Sequence, residues 1–263
     1  MIRVDHGFSP EFFVSDRESI VYGAELWTRA WEPTQQAFIA KAVSSSSARL
    51  LDVGAAVGVY TLLGASIGAE VVAFEPGREI FQELKENVYL NEKFRDRVHL
   101  YNGFVVSRSD HGRKLGGIAQ RSSGINFSDE LFYLEDFFTE QLIIKMDIEG
   151  AEWALLQDKS FLQELEKRKF LLFLSVHIGF HSFDFKSMSE KLKYRIGVLK
   201  EIATILCLKR RFKYSYELKE GELRKLKISR KNQFNGNGWH ENPLVLSNDY
   251  NLIKPILKFR FNA

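Results

Sequence analysis

From residue 49 onward, short apolar runs alternate with amphipathic stretches, and the alternation predicts strands and helices in turn. Arg49 to Val53 is short, apolar and bounded by glycine, as expected of a strand covered on both faces. Val57 to Ile67 then reads as an apolar helix stopped by Gly68. A second apolar strand, Glu70 to Phe74, ends on Glu75, so these elements form one βαβ unit with a right-handed crossover. Glu79 to Asn91 has helical spacing through Ile80, Phe81, Leu84 and Val88, and Val98 to Tyr101 is the third strand. Residues 107–128 are polar and hold Gly112, Gly116, Gly117 and Gly124, which predicts an excursion or hairpin rather than a helix. Phe132 to Phe138 leads into a fourth strand, Leu142 to Met146, apolar except for Lys145. A helix over 151–168 and a fifth strand, Phe170 to Val176, follow.

The C-terminal third reads as a long amphipathic helix, Ser187 to Leu208, then an alternating edge strand, Phe212 to Leu218, with Pro243 to Leu246 as its antiparallel partner. The expected fold class is therefore α/β: a doubly wound, mostly parallel seven-stranded sheet with a C-terminal antiparallel hairpin and helices on both faces. Residues 1–48 contain Phe8, Phe12, Phe13, Val14, Ile20, Tyr22, Trp27 and Trp31, too apolar for a free tail. With an amphipathic helix from Pro33 to Val43, they read as an N-terminal cap or lid ahead of a main domain over 49–263.

Composition narrows the class without changing it. The chain has 263 residues, 45% hydrophobic and 27% charged, enough for one large domain with a full core. Its single cysteine, Cys207, falls in an apolar helical run, reads as a buried thiol, and leaves no internal disulfide or cysteine-rich metal site. No apolar stretch reaches membrane-spanning length and the N-terminus lacks a signal-peptide core, so the expectation is a cytoplasmic protein with no membrane partner. The net charge of +3 is unevenly placed, because residues 209–231 hold ten Lys/Arg against three glutamates. That stretch is either a solvated face or an attractor of phosphate, carboxylate or nucleic acid.

The candidate chemistry gathers at the carboxyl ends of the strands, where doubly wound sheets keep their ligand crevice. Asp52 and Glu75 end the first two strands on either side of a glycine turn, and a carboxylate at the second tip can accept hydrogen bonds from both hydroxyls of a ribose. The turn reads Gly54-Ala55-Ala56-Val57-Gly58, with a methyl at 56 where a pyrophosphate would need close backbone approach, and it has no P-loop lysine. An adenosyl ligand without phosphates fits better, and S-adenosylmethionine is such a ligand. Asp52 and Glu75 would take its amino-acid and ribose parts, Gly54 and Gly58 would allow close approach, and Asn102-Gly103 would edge the adenine. On the acceptor side, Asp147 and Glu149 follow the fourth strand and His177 follows the fifth. Either carboxylate is a candidate proton acceptor or hard-metal ligand, and His177 is either a general base or a satisfied structural histidine. His177 and His181 lack the helical spacing of a zinc site, so no metal is expected.

Several segments together resemble the FkbM-type methyltransferases: Trp31-Glu-Pro33, Leu51 to Tyr60, Val72-Ala-Phe-Glu-Pro76, Asn87 to Asn91, and Ile144-Lys-Met-Asp-Ile-Glu-Gly-Ala-Glu152, with the strand before His177. The match runs over roughly residues 31–177, and the Lys-x-Asp-x-Glu-Gly-Ala-Glu block is its most specific part. The resemblance implies a class I, Rossmann-like enzyme that uses S-adenosylmethionine for O-methylation of sugars and natural products. It adds Glu32, Ala55, Tyr60 and Pro76 to the cofactor side, and this chain has Ala56 where the family's loop usually carries asparagine. The implied partner is a small-molecule or glycan acceptor. An RNA methyltransferase using the basic 209–231 stretch and a cofactor-binding module without turnover are the alternatives.

Overall fold

The structure is a computed structural model, and it describes residues 1–5, 7, 9–16, 24–27, 31–109, 125–148, 150–176, 188–227 and 243–261. Strands β1 (Ile2–Val4) and β2 (Phe12–Val14) form a separate antiparallel pair, and α1 (Pro33–Ser44) leads into the main sheet. There β3 (Arg49–Val53), α2 (Val59–Ile67), β4 (Val71–Phe74), α3 (Arg78–Tyr89) and β5 (Val98–Tyr101) follow one another. A small parallel pair, β6 (Phe104–Val106) with β7 (Leu131–Tyr133), precedes β8 (Gln141–Met146). Then come α4 (Glu152–Leu156), α5 (Lys159–Glu166), β9 (Lys169–Leu174) and α6 (Met188–Arg211). The strands β10 (Tyr214–Lys219), β11 (Glu222–Lys225) and β12 (Leu244–Ser247) and the helix α7 (Tyr250–Leu257) complete the order.

The main sheet runs β11-β10-β12-β9-β8-β3-β4-β5, with the five strands from β9 to β5 parallel and the other three antiparallel. It therefore has eight strands where the apolar pattern predicts seven. The additional strand is β11, whose sequence Glu-Leu-Arg-Lys belongs to the basic stretch and exposes its last two residues, so charge hides its strand character. As a result β10 is not an edge, and β12 is inserted between it and β9. The helix expected over 151–168 is two helices. Asp158 interrupts it by accepting hydrogen bonds from the Ser160 and Phe161 amides, which caps α5. Cys207 is exposed rather than buried, because α6 turns Val198, Ile205 and Leu208 inward and residue 207 falls outside that register.

Alternation along the strands sorts the core into two layers. Leu50, Val71, Ala73, Ile143 and Phe173 face one side with residues of α1, α2, α3 and α7, whereas Leu51, Val53, Val72, Ile144 and Leu172 face the other with α4, α5 and α6. Both faces are covered, which is why these strands read as unbroken apolar runs. The N-terminal pair is tied to this body by two buried asparagines, Asn87 in α3 and Asn91 just beyond its end. Asn91 accepts from the Phe13 amide and donates to the Phe13 carbonyl, while Asn87 accepts from the Ser15 amide and donates to the Val57 carbonyl. Asn87 thus links β2 to the end of the glycine turn.

That turn has one residue without a Cβ for a clear reason and one with a Cβ at a cost. Gly54 has φ 81°, and a Cβ there would lie 1.9 Å from the carbonyl oxygen of Asp147. Ala56 has φ 49°, a left-handed conformation that strains any residue with a Cβ. Gly54→Ala is expected to lower the unfolding free energy by more than ~3 kcal/mol, since backbone rather than a side chain must move. Ala56→Gly is expected to raise it by about 1 kcal/mol. Urea unfolding of both variants checks the pair, and a neutral Gly54→Ala would contradict the packing described.

Candidate functional site

Backbone hydrogen bonds lace the strand ends together before any side chain is considered. The Asp147 amide donates to Val53 O at 3.0 Å, the Gly54 amide to Phe74 O at 3.0 Å, the Glu75 amide to Tyr101 O at 3.1 Å, and the Ser175 amide to Met146 O at 2.9 Å. Asp52, Glu75, Asn102 and Asp147, which end or follow adjacent parallel strands, are therefore held along one edge. Cross-strand register adds Lys145, directly opposite Asp52 on the same face.

Glu75 is the best-anchored acid. Its Oε1 accepts from the Gly77 amide at 2.8 Å and its Oε2 from the Ala56 amide at 3.0 Å. Burial nevertheless pushes its carboxyl up to about 7, against the pull of those two amides and of Lys145. Asn102 donates through Nδ2 to the Glu75 carbonyl at 2.8 Å, so it braces the tip of β4. Pro76 takes part through its carbonyl, which accepts from Ser128 at 2.8 Å. Gly103 makes room for the Glu130 carbonyl, and Gly58 for the Leu84 side chain, so both are packing glycines in this structure.

A second cluster lies beneath the N-terminus of α1. Asp52 is wholly buried, with Oδ2 accepting from the Thr61 hydroxyl at 2.7 Å and Oδ1 without a hydrogen-bond partner. Burial raises its carboxyl above the usual range, and Lys145 and Thr61 only partly oppose this. The Lys145 ammonium donates to Gly54 O at 3.0 Å and lies 3.8 Å from Asp52 Oδ1 and 3.9 Å from Asp147 Oδ2. Burial pulls its pKa down, but Asp147, Asp52, Glu32 and Glu75 outweigh that and raise it above the ordinary lysine value. Its ammonium also faces the Tyr60 ring, 5.1 Å from the centroid. Tyr60 donates to Glu32 Oε2 at 2.5 Å and accepts from Gln35 Nε2 at 2.9 Å. Burial and Glu32 raise the phenol well above its ordinary range.

The structure thus brings Glu32, Asp52, Gly54, Ala55, Gly58, Tyr60, Glu75, Pro76, Asn102, Gly103 and Asp147 to one end of the sheet. Glu149, His177 and His181 lie outside the described residues. Lys145 is the residue that sequence reasoning missed. A lysine inside a strand buried on both faces must have charged or polar partners nearby, and that is the signal that marks it. Among the described residues no group of three or more His, Cys, Asp and Glu could hold a metal ion, and no helix is long and apolar enough to cross a membrane.

A mostly parallel sheet covered by helices on both faces, with acids gathered at its carboxyl edge, defines a Rossmann-like α/β protein. Residues 52–196, more than half of the chain, match the methyltransferase FkbM domain, and the chain belongs to that family. No curated protein matches it. Among solved structures it is similar to the glycopeptide N-methyltransferase MtfA complexed with S-adenosylmethionine, at 20% identity and a TM-score of 0.33, with 53% of each chain covered. The matched part thus spans about half the length of MtfA. It is also similar to an O-methyltransferase from Bacillus cereus in complex with SAH, at 15% identity and a TM-score of 0.41, over 85% of this chain and 84% of that one. A third is the CcbJ methyltransferase from Streptomyces caelestis, at 15% identity and a TM-score of 0.31, over 56% of this chain and 49% of that one.

The raised Glu75 carboxyl has a measurable sign. Its folded pKa, about 7, lies above the unfolded value near 4.5, so between them the native state binds more protons than the unfolded chain. Stability relative to a non-titrating Glu75→Gln variant should therefore fall as pH rises from 4.5 through 7, by roughly 3 kcal/mol in all, and then level off. Urea unfolding of both proteins at pH 5, 6, 7 and 8 measures the difference, and a constant offset across that range would contradict it.

Proposed function

We propose that this chain is an S-adenosylmethionine-dependent methyltransferase acting on a hydroxyl of a sugar, glycan or natural-product acceptor. The supporting observation is what the glycine turn does with its amides. Gly54 and Ala55 donate to Phe74 O, Ala56 to Glu75 Oε2, and Gly58 to Ala55 O. Four amides that a dinucleotide fold would aim at a pyrophosphate are thus already satisfied within the protein. A ligand bound here must be recognised without phosphates, through its ribose hydroxyls and its polar far end. Glu75 fits the first need, because each carboxylate oxygen retains acceptor capacity beyond its one amide bond. The buried, unpartnered Oδ1 of Asp52 fits the second, as an acceptor for an ammonium.

The sulfonium cofactor supplies an already activated methyl carbon. What the chain's residues must add is alignment, exclusion of water and acceptance of the acceptor's proton. The Ala56 and Gly77 amides fix the Glu75 carboxylate and Asn102 braces the Glu75 backbone carbonyl, so the ribose end is held by a rigid group. On the acceptor side Asp147 is accessible to about one fifth and stands at the tip of β8. Together with Glu149 and His177 it forms the proposed acceptor-binding set, and general-base help from one member is worth roughly 10²–10⁴-fold in kcat.

Calorimetry on the purified chain should show S-adenosylhomocysteine binding and no NAD binding, and tighter NAD binding would overturn the reading. Glu75→Ala should weaken S-adenosylhomocysteine by about 10–100-fold, the worth of its charge-assisted hydrogen bonds. Because ribose hydroxyls favour the ionised carboxylate, wild-type affinity should also tighten as pH rises through about 7, in step with Glu75. Transfer of labelled methyl to a panel of hydroxyl and amine acceptors then tests the acceptor class. Turnover restricted to amines would replace the O-methyl assignment.

A further inference from the structure

Resting on the reading of the crevice as a cofactor site, we propose that Lys145 is a positioning residue for the amino-acid end of the cofactor. Anchored on the Gly54 carbonyl, its ammonium spaces Asp52 and Asp147 and fixes the turn between β3 and β8.

Topology says which end of the ligand this concerns. Glu75, the ribose acceptor, is on β4, on one side of β3, and Lys145 is on β8, on the other side. A ligand whose ribose lies at the β4 tip and that crosses the glycine turn ends beside Lys145. The lysine has three donors, one taken by Gly54 O at 3.0 Å, while the carboxylates at 3.8 and 3.9 Å lie just outside direct hydrogen-bond distance. Next to it Asp52 Oδ1 is buried with no hydrogen-bond partner. An ammonium with unused donors and a carboxylate oxygen with unused lone pairs, side by side, complement the carboxylate and ammonium of an α-amino acid.

Stability does not account for the lysine. A buried ion pair is on average no better than well-packed apolar residues of the same volume, and every other residue of β8 after its first is apolar and buried. A methionine would suit the strand, whereas the ammonium suits the site. Nor does the lysine serve as a proton acceptor, because four carboxylates hold its proton in place. Tyr60, clamped by Glu32 and Gln35, walls the ammonium on the helix side and restricts where it can move.

The test uses the full chain and two ligands, S-adenosylhomocysteine and 5′-methylthioadenosine, which keeps the nucleoside but lacks the amino acid. Lys145→Met should weaken S-adenosylhomocysteine by about 10–100-fold, the scale of charge-assisted contacts, and leave methylthioadenosine within about threefold. Equal losses for both ligands, or no loss for either, would overturn the positioning role. A double-mutant cycle read by unfolding adds a ligand-free readout, since Lys145→Met strands the Asp52 carboxylate and Lys145→Met/Asp52→Asn should regain most of the lost stability. Additive losses would also overturn the proposal. Where Lys145→Met alone does not fold, the ligand comparison runs between Lys145→Met/Asp52→Asn and Asp52→Asn. A wild-type chain that binds neither ligand instead refutes the cofactor reading itself.

Discussion

The carbonyl oxygen of Asp147 occupies the place where a side chain at residue 54 would begin, and the candidate site depends on that contact. Because Gly54 has no Cβ, the loop after β8 can lie directly against the turn after β3. The two loops would otherwise be separated by at least a methyl group. Lys145 would then lose the Gly54 carbonyl that anchors it, and Asp147 would move away from the cluster around Asp52. The amides that lace Val53, Phe74, Met146 and Tyr101 to their neighbours extend the same constraint across five strand ends. Such a site is preformed by backbone packing, and ligand binding need not assemble it.

Charge is concentrated where the fold can least easily solvate it. Asp52, Glu75 and Lys145 are all nearly or wholly buried, and the first two have carboxyls raised by that burial. Groups in this condition weaken the native state near neutral pH, and the two apolar layers on either side of the sheet must offset them. Chains keep such arrangements mainly at functional sites, where desolvated charges interact strongly with a ligand that restores their partners. The unpartnered oxygen of Asp52 is the sharpest sign of this condition, since the fold provides a hydrogen-bonding surface and leaves it incomplete.

The parallel half of the sheet was legible because its strands are buried on both faces and so carry uninterrupted apolar runs. β3 and β5 have the same bounds in sequence and structure, Arg49–Val53 and Val98–Tyr101. The gathering of Asp52, Gly54 and Glu75 at one edge was legible for a related reason: glycine and acid directly after buried parallel strands must fall at their carboxyl ends. What stayed hidden was decided by contacts that periodicity does not record. β11 is held by pairing with β10 despite its charges, and the break between α4 and α5 comes from a cap at Asp158 inside a helical pattern. Lys145 looked like an interruption in an apolar strand until the register set it against Asp52. At Gly58 and Gly103, assigned by sequence to close approach and to the adenine edge, the structure adds a packing need, because a Cβ there would meet the Leu84 side chain and the Glu130 carbonyl.

The conformation of the glycine turn also follows from packing. An ordinary dinucleotide turn leaves its amides pointing at the crevice, and any anion that arrives can use them. Here Ala56 adopts a left-handed conformation, φ 49°, that directs its amide to Glu75. The strain of that conformation and the hydrogen bond it makes belong together, because without the bond an alanine would have little reason to stay there. Glu75 therefore has two roles. It satisfies the Ala56 and Gly77 amides, and each of its oxygens keeps lone-pair capacity beyond that bond. A single side chain at the tip of β4 thus both occupies the Ala56 amide of the turn and keeps acceptor capacity at the carboxyl edge.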